Sequence, residues 1–305
     1  MITANDYYRN RFGGKVYRIS LNGGMSCPNR DGTLDTRGCI FCSKGGSGDF
    51  AASASLSVTE QLVQAKQKIA AKLPKNKSRF AGYIAYFQAF TNTYAPVSYL
   101  RQIFTEAVSD PEVVGLSIAT RPDCLSPECV LLLSELNRIK PVYVELGLQT
   151  IHKSSAEFIR RGYPLEVYDD AVSRLQSHGI LVITHVILGL PKESYADMVA
   201  TVTHVVNAGV HGIKLQLLHV LKDTDLADYY RSAPASEFSC MSLDAYISVL
   251  QNLLPLIPEE TVIYRLTGDG PKHSLIAPLW SGDKKNVLNT LHRQLERSFL
   301  CNPKC

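Results

Sequence analysis

The chain has 305 residues, 45% of them hydrophobic and 20% charged, so it can bury a large core, and general disorder is excluded. The 32 Lys and Arg against 28 Asp and Glu leave a formal charge of +4, too little to name a partner. No run approaches the ~18 apolar residues of a membrane helix, and the opening Met-Ile-Thr-Ala-Asn-Asp-Tyr-Tyr-Arg-Asn lacks a signal-peptide profile; no membrane association and a cytoplasmic location are therefore expected.

Strand-like and helix-like segments alternate along the chain. A strand over 15–21 runs into a cysteine-bearing loop. Residues 58–73 have helical spacing at Val58, Leu62, Ala65, Ile69 and Leu73. A strand over 82–87, a helix over 97–108 and a strand over 113–119 follow. The helix over 126–138 opens on Ser126-Pro127, an N-cap with proline in the first turn. Next come a strand over 141–148, helices over 154–161 and 165–178, and a nearly continuous apolar strand over 180–188. A helix over 194–208 and a strand over 211–218 complete the series. Six strands with helical connections imply an α/β fold with a parallel sheet buried on both faces. Six units fall short of the eight of a full barrel and fit a partial, open (β/α)6 TIM-like barrel. Periodicity alone does not separate this from a doubly wound sheet. Past about residue 222 the pattern changes to helices over 223–230 and 243–254, a short strand over 261–266 and a terminal helix over 284–300. We read 1–222 as the barrel and 223–305 as a C-terminal extension that caps it without being independent.

Cysteines stand at 27, 39, 42, 124, 129, 240, 301 and 305. In a chain of this size without a secretory start, a disulfide scaffold is a poor explanation. Cys27 follows Gly23-Gly24, and eleven residues separate it from Cys39-Ile40-Phe41-Cys42. All three lie in the loop after the first strand, at the end of the barrel where such enzymes place their active sites. Thiolates suit iron–sulfur clusters or zinc. Zinc needs a fourth ligand, and residues 20–60 contain no His and no further Cys, so a distant group such as Cys124 would have to supply it. A Cys39–Cys42 redox disulfide leaves Cys27 without a role. A three-thiolate cluster leaves one iron open to a small molecule, which gives the missing ligand a meaning. Cys124, Cys129 and Cys240 read as small buried or loop residues, and Cys301 and Cys305 as incidental thiols near a chain end.

Cys27, Cys39 and Cys42, with Phe41 before the last, resemble the cluster motif of the radical S-adenosylmethionine (radical SAM) enzymes. The eleven-residue spacer resembles the branch related to the catalytic subunit of Elongator, especially the stand-alone YhcC/YtqA group. The segments Ser-Cys-Pro-Asn-Arg-Asp-Gly-Thr (26–33), Tyr-Phe-Gln-Ala-Phe-Thr-Asn-Thr-Tyr (86–94), Ala-Thr-Arg-Pro-Asp-Cys (119–124) and Glu-Leu-Gly-Leu-Gln-Thr (145–150) carry the likeness. Arg-Arg-Gly-Tyr (160–163), His-Val-Ile-Leu-Gly-Leu-Pro (185–191), Gly-Ile-Lys-Leu-Gln-Leu-Leu-His (212–219) and Arg-Leu-Thr-Gly-Asp (265–269) continue it in order.

The resemblance implies a [4Fe-4S] cluster on Cys27, Cys39 and Cys42, with S-adenosylmethionine cleaved at its open iron to a 5′-deoxyadenosyl radical. It further implies that the Phe41 backbone faces the adenine, and that Gln149 and Arg161 contact the ribose and carboxylate. Gln88-Ala89 stands where relatives often carry a Gly-Gly pair that approaches the amino group. Ala119 stands where they often carry a glutamate before Thr120-Arg121, on the rim that also holds Asp123. Glu145 is either a polar site residue or the partner of a structural arginine. His185, Lys214, His219 and Arg265 fall near barrel ends and are candidates for substrate contact.

Three basic runs allow a phosphate-tracking surface beside the barrel mouth: Arg9, Arg11, Lys15 and Arg18; Lys66 to Arg79; and Lys284, Lys285, Arg293 and Arg297. The Elongator-like branch modifies the wobble uridine of tRNA at carbon 5. The chain has no room for Elongator's acetyltransferase domain, so the YtqA likeness implies a different step, from a 5-carboxymethylaminomethyl side chain toward the aminomethyl form. Expected partners are a tRNA anticodon stem-loop, an electron donor such as flavodoxin or ferredoxin, and a downstream tRNA methyltransferase. The alternatives are a radical SAM enzyme acting on a small metabolite or peptide, and a non-catalytic zinc-containing RNA-binding protein.

Overall fold

The computed structural model describes residues 1–301 apart from 47, 49, 50, 75, 77, 78, 269 and 271, with side chains through 295. The predicted strands form as β2 (Lys15–Leu21), β3 (Phe80–Phe87), β4 (Val113–Thr120), β5 (Val142–Gln149), β6 (Leu181–Leu188) and β7 (Gly212–Leu217). They lie side by side in chain order, all parallel. Helices α2 (Val58–Ile69), α3 (Val97–Ser109), α4 (Pro127–Asn137), α5 (Lys153–Phe158), α6 (Leu165–Ser177) and α7 (Tyr195–Asn207) connect them.

Alternation along each strand sets the two faces of the sheet. Leu21, Phe87, Ile118, Val144, Leu146 and Leu215 turn outward with the helices into the main core. Their neighbours Ile84, Tyr143 and Ile183 turn into the lumen, in a separate apolar cluster with Tyr8. The result is an open, curled sheet, a partial barrel.

The sheet is larger than the six units expected. The short strand near 261–266 is β9 (Val262–Arg265), which pairs in parallel with β7. Strand β1 (Ile2–Thr3) pairs with β9, so the sheet has eight strands in the order β1-β9-β7-β6-β5-β4-β3-β2. Part of the C-terminal extension therefore enters the barrel wall. The rest comprises β8 (Val220–Leu221), α8 (Asp225–Ser232), α9 (Leu243–Leu253), β10 (Leu275–Ala277) and α10 (Lys284–Cys301). Strands β8 and β10 pair antiparallel just beyond the C-terminal end of β7.

One unanticipated helix closes the barrel. Helix α1 (Ala4–Phe12) starts with a reciprocal Thr3–Asp6 capping box and stops at Gly13, whose φ of 74° suits glycine. It lies across the N-terminal mouth. Tyr8, 3% exposed, packs edge-on against Tyr143 at 5.9 Å and Tyr264 at 6.0 Å between ring centroids. Tyr7 packs against His211 at 4.6 Å. Among the described residues this plug of aromatic rings covers the N-terminal mouth of the lumen.

The plug also relocates the basic runs. Arg9 and Arg11 are exposed on α1, and Lys68, Lys72 and Arg79 are exposed between α2 and the start of β3. These residues lie at the closed end, not beside the mouth, Lys66 is already paired with Asp110 and Glu112, and Lys75 and Lys77 lie outside the described residues. Arg18 is not on the surface at all; it points into the lumen. Among the described residues no helix is long and apolar enough to cross a membrane.

Candidate active site

The loop after β2 carries Cys27, Cys39 and Cys42 to the open rim as free thiols. Two short turns shape it. The Cys27 carbonyl accepts from the Arg30 amide at 2.7 Å, and the Cys42 amide donates to the Cys39 carbonyl at 3.0 Å. The backbone beside Phe41 is pinned on two sides: the Ile40 amide donates to Ile159, and the Leu226 amide donates to the Ile40 carbonyl. Phe41 itself packs on the apolar cluster of Ile40, Ile159 and Leu190. Arg30 donates to the carbonyls of Cys42 and Ser43 at 3.0 and 2.7 Å.

Asn29, 1% exposed, ties this loop to the barrel. Its amide donates to the Arg160 carbonyl at 2.6 Å and to the Cys39 sulfur at 3.5 Å. Burial, with Cys42 and Cys27 nearby, pushes the Cys39 thiol up to about 12, while Arg121 opposes the shift. The three thiols are thus electrostatic neighbours. Among the described residues, however, no three His, Cys, Asp or Glu side chains converge within reach of a single ion. Three thiols on one loop, with an amide aimed at one sulfur, suit the ligand set of an iron–sulfur cluster that leaves one iron open.

Below the rim, six side chains from six strands meet at Glu145, which is 1% exposed. One carboxylate oxygen accepts from Arg18 and, at 2.7 Å, from Ser117. The other accepts from His185 at 2.7 Å and from Lys214. Tyr86 lies beneath the Arg18 guanidinium, 4.0 Å from carbon to ring centroid, and beside the Lys214 ammonium at 4.9 Å. Burial alone would raise the Glu145 pKa, but Arg18, Lys214 and His185 overcome it and hold the carboxyl well below its usual range. Burial, then Lys214, push His185 down to about 4, with Glu145 opposing. His185 is therefore neutral, its Nε2 donating to Glu145 and its Nδ1 accepting from Gln216 at 3.1 Å. Burial and the Arg18 charge also lower Lys214 well below the usual ammonium value.

The candidates His185 and Lys214 thus join Glu145 in one network, and Arg265 stands opposite Lys214 in the strand register. Glu145 has the arginine partner foreseen as one alternative, but that partner is Arg18. Residues Arg18, Tyr86, Ser117 and Gln216 were not foreseen. His219 lies farther along, under a loop in which a Cβ at Gly268 would come within 2.3 Å of its ring.

At the rim, Ser20 donates to the Gln88 amide oxygen at 2.8 Å. Gln149 ends β5 with a φ of 66°, a strained conformation for a residue with a Cβ. Gly147 makes room for it, since a Cβ there would lie 2.6 Å from the Gln149 amide nitrogen. Arg161, 2% exposed, donates to the carbonyls of Tyr163 at 3.0 Å, Leu148 at 3.2 Å and Thr150. It therefore braces the end of β5 and the turn after it. Arg161 and Arg121 both approach the Tyr163 ring, at 4.7 and 5.1 Å, and Arg121 is clamped by both oxygens of Asp123. Thr120 bonds Thr93 through their hydroxyls. Cys124 donates to Asp123 and faces a cleft with Thr93 and Tyr94, while Cys129 is buried and Cys240 half-buried. The side chains of Cys301 and Cys305 lie outside the described residues.

Comparison with known proteins matches this geometry to a family. A sequence model of the radical SAM superfamily matches residues 36–205, and one of the radical SAM C-terminal domain matches 210–297. The chain is 43% identical over 294 residues to YtqA of Bacillus subtilis, covering 96% of this chain and 89% of that protein. It is 36% identical over 287 residues to YhcC of Escherichia coli K12, covering 93% and 89%. An archaeal Elp3 structure from Methanocaldococcus infernus superposes with a TM-score of 0.68 at 16% identity, covering 93% of this chain and 63% of that one. Elongator complex protein 3 of Schizosaccharomyces pombe is 24% identical over 191 residues, only 34% of its length. The zinc-binding module is thereby overturned: the chain belongs to the radical SAM superfamily, in the Elp3-like branch with YtqA and YhcC, a family of enzymes that use a [4Fe-4S] cluster and S-adenosylmethionine.

Proposed function

We propose that this enzyme acts on the carbon-5 side chain of a tRNA wobble uridine, converting a 5-carboxymethylaminomethyl group toward the aminomethyl form. When bound, the cluster and S-adenosylmethionine supply a 5′-deoxyadenosyl radical that removes hydrogen from the substrate. Cys27, Cys39 and Cys42 would hold the cluster. Phe41, Gln88 and Gln149 line the rim where the nucleoside would sit, and Arg161 shapes that rim from behind.

The observation that carries this reading is the form of the lumen. Among the described residues it is covered below by the Tyr8 plug, lined above it by Arg18, Glu145, His185 and Lys214, and continues toward the rim that carries the cysteine loop. Such a receptacle suits a short charged substituent on a base splayed out of an anticodon loop. Exposed Lys44, Lys222, Lys284 and Lys285 stand on or just after the loops of this end, placed to meet phosphates. The same reading calls for a flavodoxin- or ferredoxin-type electron donor and for a methyltransferase acting on the amine formed.

Nucleoside mass spectrometry of tRNA from a deletion strain tests it. The expected result is loss of aminomethyl-type wobble uridines and accumulation of the carboxymethylaminomethyl form. An unchanged wobble-uridine profile sinks the tRNA assignment.

A further inference from the structure

The network around Glu145 brings two cationic side chains to one carboxylate. Arg18 and Lys214 bind opposite oxygens of Glu145, and Ser117 and His185 take further acceptor positions. A carboxylate has about four lone-pair sites, so little is left for the remaining N–H groups of either cation. Among the described residues neither Arg18 nor Lys214 has an ion pair with any other acid. His185 is neutral. Burial, Arg18 and Arg265 hold Lys214 below its usual ammonium value with Glu145 opposing, so a further anion joining Arg18 and Lys214 would favour the charged ammonium.

The network is also accessible from the lumen. The Glu145 side chain is fully covered, but 23% of the Arg18 side chain and 18% of His185 are exposed. The Arg18 guanidinium sits over the Tyr86 ring, 4.0 Å from carbon to centroid. A planar guanidinium edge beside an ammonium suits a planar monoanion. A dianion such as phosphate would meet the Glu145 carboxylate at close range and be repelled more strongly than a monoanion.

We infer that Arg18 and Lys214 form a receptor for a carboxylate carried by the substrate at the end of a short side chain. This rests on the proposed action on a modified base and adds which end of its side chain enters the barrel. With the plug below and the cysteine loop above, a carboxylate held here turns the adjoining carbon toward the rim.

The test uses cluster-loaded protein with S-adenosylmethionine under anaerobic conditions. Three anticodon stem-loops are compared, whose wobble uridine side chain ends in a carboxylate, its methyl ester or its primary amide. The ester and amide should bind roughly 10- to 100-fold more weakly than the acid, the range expected for lost charged hydrogen bonds. Lys214→Met should shrink that ratio. Equal affinity for acid and ester in the wild type, both tighter than the unmodified stem-loop, overturns the receptor, whether or not the variant folds. If no modified stem-loop outcompetes the unmodified one, the wobble-uridine reading fails instead. The receptor is then judged with acetate against acetamide, read by the 15N shift of the His185 ring. A saturable shift with acetate alone supports it, and no shift with acetate overturns it.

Discussion

Arg18 on β2 and Glu145 on β5 are bonded to each other across two intervening strands, 127 residues apart in the chain. In a flat sheet, three steps of ~4.8 Å would separate those strands by about 14 Å, so the contact depends on the curl of the barrel. Lys214 reaches Glu145 from two strands away on the other side. Glu145→Gln keeps the shape but strands two cations, and should cost about 3–5 kcal/mol. Arg18→Met leaves Lys214 paired with Glu145 and should cost less. Urea unfolding of the two variants checks the order. A Glu145→Gln loss no larger than that of Arg18→Met would remove Glu145 from its central role.

His185 gives the fold an acid-sensitive element. Its pKa falls from 6.5 to about 4 on folding, through burial first and then the Lys214 charge. Below pH 6.5 the unfolded chain binds a proton that the folded chain refuses, so stability falls as pH drops through that window toward 4. From pH 7 to 5 this one group should remove ~2 kcal/mol, from about 1.4 kcal/mol per pKa unit. His211, also pushed down to about 4 by burial and Arg11, adds in the same direction. The wild type should therefore lose more stability than His185→Gln between pH 7 and 5. Parallel losses would mean that His185 titrates normally in the folded protein.

The strands were legible because each alternates cleanly or runs apolar, and all six of the barrel strands expected from pattern formed within about two residues of their expected ends. Helix α1 was missed because Arg9 and Arg11 read as charge, although Thr3, Asp6 and Gly13 carry its start and stop signals. Strand β9 was found, but its place in the sheet was not, since strand neighbours beyond a chain's own order leave no local trace. The same limit hid Arg18. Its flanking residues Tyr17, Ile19 and Leu21 pack outward on the helices, which forces Arg18 inward, yet only the fold shows that Glu145 waits there.

Gln149 holds a left-handed backbone at the point where the rim meets the lumen. Such a conformation costs a residue with a Cβ roughly 1 kcal/mol and persists where function holds it. Gln149→Gly should relieve that strain and raise the urea midpoint, while removing an amide expected to face the ribose of S-adenosylmethionine. Cofactor affinity should fall about 10-fold, as for loss of one buried hydrogen bond, with iron content unchanged. Equilibrium dialysis against labelled S-adenosylmethionine checks it, and undiminished affinity would take Gln149 out of the cofactor site.

Asn29 and Gly162 form a support for the cysteine loop that neither supplies alone. The Asn29 amide spans from Cys39 to the Arg160 carbonyl, and Gly162 adopts a φ of 84° directly behind it. A Cβ at Gly162 would lie 2.8 Å from the Asn29 side-chain oxygen and 3.2 Å from Arg121. Gly162→Ala therefore meets both a left-handed backbone and a collision, and Asn29 must move, taking its bond to Cys39 with it. Asn29→Ala loses the same bond without the collision, at about 1–2 kcal/mol. Both variants should keep the barrel, since neither residue joins its apolar core, but both should bind less iron on anaerobic reconstitution. Cys42→Ala, which removes a ligand outright, sets the floor for visible iron–sulfur absorbance. Iron content in Gly162→Ala equal to the wild type would show that the loop forms its cluster geometry without this brace.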